Sequence, residues 1–86
     1  MTMDEKIKAL LTQAFDPVNL TITNESHLHA GHSGDDGSGE THYHIAITSS
    51  LLNDMNRIER QRAVMKTLKP CYEHGLHALT IIPNRA

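Results

Sequence analysis

Eighty-six residues, 38% of them hydrophobic, with a formal net charge of −2, make one small domain (1–86) whose core must be mostly aliphatic, because one Phe and two Tyr are its only aromatic anchors. The single cysteine, Cys71, excludes an internal disulfide and with it a disulfide-stapled secreted scaffold, which fits an intracellular, reducing compartment. No apolar run reaches the length of a signal h-region or a membrane span.

The start, MTMDEKIKALL, carries acidic as well as basic residues and is unlike an Arg-rich transit peptide. Cytoplasmic residence, or an organelle if the chain is a processed form, is therefore expected. Thr2-Met3-Asp4-Glu5 fits a capping box, and Ile7, Leu10, Leu11, Ala14 and Phe15 then fall on one helical face. Asp16-Pro17 ends this first helix, since the residue before proline avoids the α region.

Val18, Leu20 and Ile22 alternate with polar residues as a strand with one buried face. A polar, glycine-rich loop follows over about 26–40, long enough that a functional role is plausible. The stretch 25–45 holds five of the seven histidines and four of the five glycines. Tyr43, Ile45 and Ile47 alternate inward as a second strand, antiparallel to the first, which assigns His42 and His44 to the opposite, more exposed face. NES at 24–26 spells a glycosylation sequon, set aside for want of a secretion signal.

A short helical turn is expected over 49–55, then a longer helix from about Arg57 with Ile58, Met65, Leu68 and Tyr72 inward and Arg57, Arg60, Arg62, Lys66 and Lys69 mainly outside. Pro70 kinks or ends that helix, Cys71 to His74 form a separate turn, and Gly75 caps it. LHALTII is β-rich enough to be a third strand. The expected architecture is α+β, in the order α-β-β-α-α-β, a three-stranded sheet with the helices packed on one face.

Charge is segregated: residues 1–56 sum to −6 and residues 57–86 to +4. Such polarity can steer a partner, or simply solvate a helix face. His27, His29 and His32, spaced H-x-H-x2-H in a glycine-flanked loop, can bring imidazoles to a metal, although loops of this composition are often only solvated. His42 and His44 are assigned to surface packing. Cys71-x2-His74-x2-His77 lacks the second cysteine pair of a structural zinc site, which leaves Cys71 as a small semi-buried residue. GDDG at 34–37 joins two strands and carries two aspartates, so it is rejected as a phosphate clamp. No nucleotide-binding, hydrolase or metalloprotease motif is present, and the chain is not expected to be an enzyme.

NESHLHAGH, a Gly-rich gap, then GETHYHIAI, RIERQRAV and GLHALTI together resemble the BolA family over nearly the whole chain. The resemblance implies a fold related to class II KH domains and a partnership with monothiol glutaredoxins in iron–sulfur cluster handling or iron regulation. A [2Fe–2S] cluster is then shared, with thiolates from glutaredoxin and glutathione and imidazoles from this chain. His77 in LHAL matches the strand ligand and His29 best matches the loop ligand, with His32 close enough to compete. The implied partner surface comprises Arg60, Arg62, Lys66 and Cys71. This sequence departs from the family pattern in writing Arg60-Gln61-Arg62 where the middle residue is often His, in His44 and in Pro70. Nucleic-acid binding and transcriptional regulation, through the KH-like fold and the basic helix, is the rival reading, opposed by the acidic strand loop and the scarcity of aromatics. An interaction adaptor without metal is a third.

Overall fold

The computed structural model describes residues 2–25 and 42–86. In chain order they form α1 (Met3–Phe15), β1 (Asn19–Asn24), β2 (His42–Ser49), a 3-10 turn (Ser50–Leu52), α2 (Arg57–Thr67), α3 (Lys69–Glu73) and β3 (Ala78–Arg85). The expected order is met element by element.

Both longer helices start from reciprocal caps. Glu5 N–H donates to the Thr2 hydroxyl while Thr2 N–H donates to the Glu5 carboxylate, each at 3.2 Å. These bonds favour the charged carboxylate and hold Glu5 below its usual range. Asn56 and Glu59 repeat the device at α2, with both bonds at 2.9 Å. Asp16 stops α1 by turning left-handed (φ 43°), just ahead of Pro17. Gly75, at φ 108°, ends α3 where a Cβ would clash, and Leu76 N–H folds back onto the Cys71 carbonyl at 3.0 Å.

The sheet runs in the order β1-β2-β3 and is mixed. β1 pairs antiparallel to β2, with Asn19 opposite Thr48 and Asn24 opposite Tyr43. β3 pairs parallel to β2, from His42 opposite Ala78 to Ser49 opposite Arg85. A parallel neighbour cannot be reached by a hairpin. The chain therefore spends the 3-10 turn, α2 and α3 crossing back to the start of β2.

The helices pack over Tyr43, Ile45 and Ile47 of β2, joined by Leu79 and Ile81 of β3 and by Leu20 and Ile22 of β1. From α1 come Met3, Ile7, Leu11 and Phe15, one residue per turn; Ala14, expected inward, faces out. The opposite face, on which no described helix packs, carries Thr21 and Thr23 of β1, His44, Ala46 and Thr48 of β2, and Thr80 and Ile82 of β3, in cross-strand rows. Val18 lies before β1 and is exposed, so the strand starts one residue later than the alternation suggested.

Polar bonds from Tyr43 and Ser49 tie α1 to the sheet. The Tyr43 hydroxyl donates to the Asp4 carboxylate at 2.6 Å. The fully buried Ser49 hydroxyl donates to the Phe15 carbonyl at 2.5 Å and accepts from Leu51 N–H at 3.1 Å. Ser49 thus fixes the end of α1 and starts the 3-10 turn at once.

The expectation for α2 needs correction. Ile58 and Met65 are 64% and 42% exposed and Tyr72 is also on the surface; Val64 and Leu68 are the buried residues, with Ala63 beside them. The inward stripe is rotated because Arg60, assigned outward by its charge, lies half-buried over the end of β3. Its guanidinium donates through Nε to the Pro83 carbonyl at 3.0 Å and through Nη1 to the Met55 carbonyl at 2.8 Å. A long cationic side chain can cover apolar surface with its stem while its head finds carbonyl acceptors. Pro70 sits in the first turn of α3, where no N–H is needed, so helix and proline coexist.

Replacing Ser49 with Ala removes both of its bonds from a dry site. The variant is expected to lose about 1–3 kcal/mol of unfolding free energy, read as a lower urea midpoint with an unchanged slope; an unchanged midpoint contradicts the staple.

Candidate functional site

Parallel pairing puts the beginnings of β2 and β3 at one end of the sheet, and each beginning carries a histidine. His77 stands immediately before β3, exposed, just after the chain has turned at Gly75 and buried Leu76. His42 is the first residue of β2. The two ring centroids are 5.3 Å apart and the ring planes are tilted by 54°. His42 is only 7% exposed, which corrects its assignment to surface packing. Glu25, following β1, donates its N–H to the His42 carbonyl at 2.8 Å, and both residues line a cavity of about 120 Å³. One imidazole is therefore held by the sheet and the other is open to a visitor.

His27, His29 and His32 lie outside the described residues. Among the described residues no group of three or more His, Cys, Asp or Glu side chains is arranged to hold a metal ion. His44 follows His42 by two residues along β2, opposite Thr80, and His74 directly follows α3.

The implied partner surface divides. Arg62 and Lys66 are exposed on α2, joined by Arg57 at its start and Lys69 beyond its end, and are free to meet an acidic surface. Arg60 spends its guanidinium on two backbone carbonyls and is structural. Cys71, expected to be semi-buried and part of the partner surface, is 1% exposed and belongs to the core. Burial pushes its thiol above the usual value of 9.0, against the opposing pull of the Lys6 ammonium. A thiol so placed makes neither a ready nucleophile nor a ready ligand.

Two grooves flank these residues. One of about 450 Å³ runs between α2 and β3 and is lined by Arg57, Ile58, Gln61 and Ile82 among others. A smaller one of about 240 Å³ lies between α1 and α3, with Lys6 and His74 beside apolar Ala9, Leu10 and Pro70.

A family model described as BolA-like protein matches residues 11–83. The chain belongs to the BolA-like family. It is 45% identical over 84 residues to an uncharacterised protein in the cobS 5′ region of a Sinorhizobium species, covering 96% of this chain and 90% of that one. It is 37% identical to the chloroplastic protein BOLA1 of Arabidopsis thaliana, where it covers 90% of this chain but 49% of the relative. The solved structure of Arabidopsis BolA1 superposes with a TM-score of 0.83 at 35% identity, covering 94% of this chain and 88% of that one. The BolA domain of Arabidopsis SufE1 superposes at 0.84 and 32% identity, over 94% and 88% of the two chains. The curated SufE-like protein 1, chloroplastic/mitochondrial, is 35% identical over 90% of this chain, which spans only 22% of that protein. A relative in Haemophilus influenzae, named DNA-binding transcriptional regulator BolA, is 28% identical over 94% of this chain and 75% of its own length. The chain thus spans about half, or less, of its two plant relatives. No helix among the described residues is long and apolar enough to cross a membrane.

The BolA-like fold makes the cysteine a sensitive probe of its own packing. The folded chain holds the Cys71 proton more tightly than the unfolded chain does. The stability that follows is full below pH 9.0 and is lost as pH rises through the higher, folded-state value. Iodoacetamide at pH 8 is expected to label the native protein at least about tenfold more slowly than the urea-unfolded one; equal rates contradict a buried thiol.

Proposed function

We propose that this BolA-like protein is a non-enzymatic partner of monothiol glutaredoxins, supplying imidazole ligands to a shared [2Fe–2S] cluster during iron–sulfur cluster trafficking or assembly. The observation that carries the reading is the contrast between the two candidate donors. His77 offers an exposed imidazole at the sheet end, while Cys71, the sole thiol, is sealed in the core. Such a chain can contribute nitrogen but no sulfur, so thiolates must come from a partner and its glutathione.

The residues fit that division of labour. His77 would act as one ligand, with His29, or His32 in its place, as the loop ligand. A cluster bound with imidazole in place of thiolate carries less negative charge and has a higher reduction potential. Arg62 and Lys66, with Arg57 and Lys69, would steer an acidic partner surface or glutathione carboxylates towards His77. The reading applies to an intracellular, reducing compartment, cytoplasmic or organellar; the plastid and mitochondrial names of two relatives favour the latter.

The second reading, nucleic-acid binding in transcriptional regulation, draws on the exposed cations of α2 and on the name of the Haemophilus relative. It predicts a steep loss of affinity with salt and no dependence on His77.

Anaerobic mixing with a monothiol glutaredoxin, glutathione, iron and sulfide, followed by visible absorption and circular dichroism, separates the two. A heterodimer spectrum distinct from that of glutaredoxin alone is expected, abolished by His77→Ala and altered by His29→Ala. An unchanged glutaredoxin spectrum without association sinks the cluster reading and favours nucleic acid. Double charge reversal, R62E with K66E, is expected to slow association and flatten its salt dependence; unchanged association rates remove the cations from the interface.

A further inference from the structure

Among the described residues β1 is an outer strand, and its backbone faces two ways. Glu25 N–H donates to the His42 carbonyl at 2.8 Å, one step beyond the Asn24–Tyr43 pair. Every second residue back from Glu25, namely Thr23, Thr21 and Asn19, therefore bonds β2 in the same way. Leu20 and Ile22, between them, aim their N–H and C=O groups away from the sheet. Asn19–Asn24 carries neither charge nor proline, the usual guards of an outer strand. We propose that this edge joins a second copy of the chain, β1 to β1 and antiparallel, about a two-fold axis at Thr21, so that two sheets become one.

The strand is self-complementary, as a two-fold interface requires. Asn19-Leu20-Thr21-Ile22-Thr23-Asn24 reads almost alike in both directions. With Thr21 opposite itself, Leu20 of each copy meets Ile22 of the other in a hydrogen-bonded pair, and Asn19 meets Thr23. Apolar side chains then face each other on the helix side, and hydroxyl and amide side chains on the opposite side, both favourable cross-strand pairings. A shift of one residue would set outward backbone groups against ones that already bond β2. A shift of two would pair Leu20 with Asn24, or carry Ile22 past the strand to Val18.

Charge matches as well. A groove of about 290 Å³ beside this edge is lined by Leu20 and Ile22, which flank the axis, and by Asp4, Glu5 and Lys8 of α1. Reversing the second copy brings its Lys8 towards Asp4 and Glu5 of the first, and the converse. β1 and β3 lie on opposite sides of β2, so the joint leaves His77 clear and does not depend on the glutaredoxin reading. One short strand pair buries little area, so the dimer is weak, with a dissociation constant between about 1 μM and 1 mM.

The test is sedimentation equilibrium of the isolated chain from about 10 μM to about 1 mM. A mean mass rising from one chain towards two is expected. Thr21→Lys sets like charges directly opposite across the joint and is expected to weaken the dimer at least about threefold, with circular dichroism confirming the fold. Register is read by cross-linking with diamide as oxidant. Thr21→Cys is expected to give a disulfide-linked dimer at least about tenfold faster than Thr23→Cys, because only position 21 meets itself. Buried Cys71 does not compete. The inference is overturned by a monomer at every concentration, by a dimer that Thr21→Lys leaves equally tight, or by Thr23→Cys cross-linking as fast as Thr21→Cys. A monomer would leave the edge to a strand of a different protein, and a dimer insensitive to Thr21→Lys would use another surface.

Discussion

The parallel pairing of β2 with β3 is the constraint on which the rest of this molecule depends. A hairpin cannot make it, so the connection must climb back over the sheet, and its helices become the layer that seals the core. β1, antiparallel on the other side of β2, completes a face of Leu20, Ile22, Tyr43, Ile45, Ile47, Leu79 and Ile81 for that layer. The same pairing aligns the starts of two strands that lie far apart in sequence. His42 and His77 become neighbours for the same reason that the core closes, so the candidate site at that sheet end is bound to the topology.

Much of this was legible because it is local. The Thr2–Glu5 cap, the Asp16-Pro17 stop, the alternation of Tyr43, Ile45 and Ile47, the break at Pro70 and the cap at Gly75 are each decided within a few residues. What escaped was decided across elements. Charge alone assigned Arg60 outward, yet carbonyls at Met55 and Pro83 recruit it, and the face of α2 rotates with it. Cys71 was judged semi-buried because nothing nearby in sequence announces the packing of α3 against α1. His42 was assigned to the open face by alternation, which says nothing about what lies beyond the end of a strand. A signal did exist: a strand, two helices and a strand imply a crossover, and a crossover brings strand starts together. The loop histidines His29 and His32 remain the part of the candidate site that sequence pattern alone supports.

The chemistry on offer is narrow. Imidazoles are displayed and the single thiol is withheld, with its proton held more firmly than usual. Cations are concentrated on α2 and acidic residues in the first half of the chain. On the proposed reading, a domain of this kind would change what a thiol-bearing partner can hold without competing for sulfur itself.

The Arg60–Pro83 contact has a consequence for how the domain tolerates company. Among the described residues β3 is an outer strand, and outer strands offer unpaired backbone groups on which another chain can zip. Pro83 has no N–H to donate, and its carbonyl already belongs to Arg60. The distal half of this edge is therefore a poor template for strand addition. Copies of this chain crowded together gain a safeguard against edge-to-edge aggregation on this side. The contact that anchors Arg60 against β3 thus also occupies a backbone acceptor that an added strand would need.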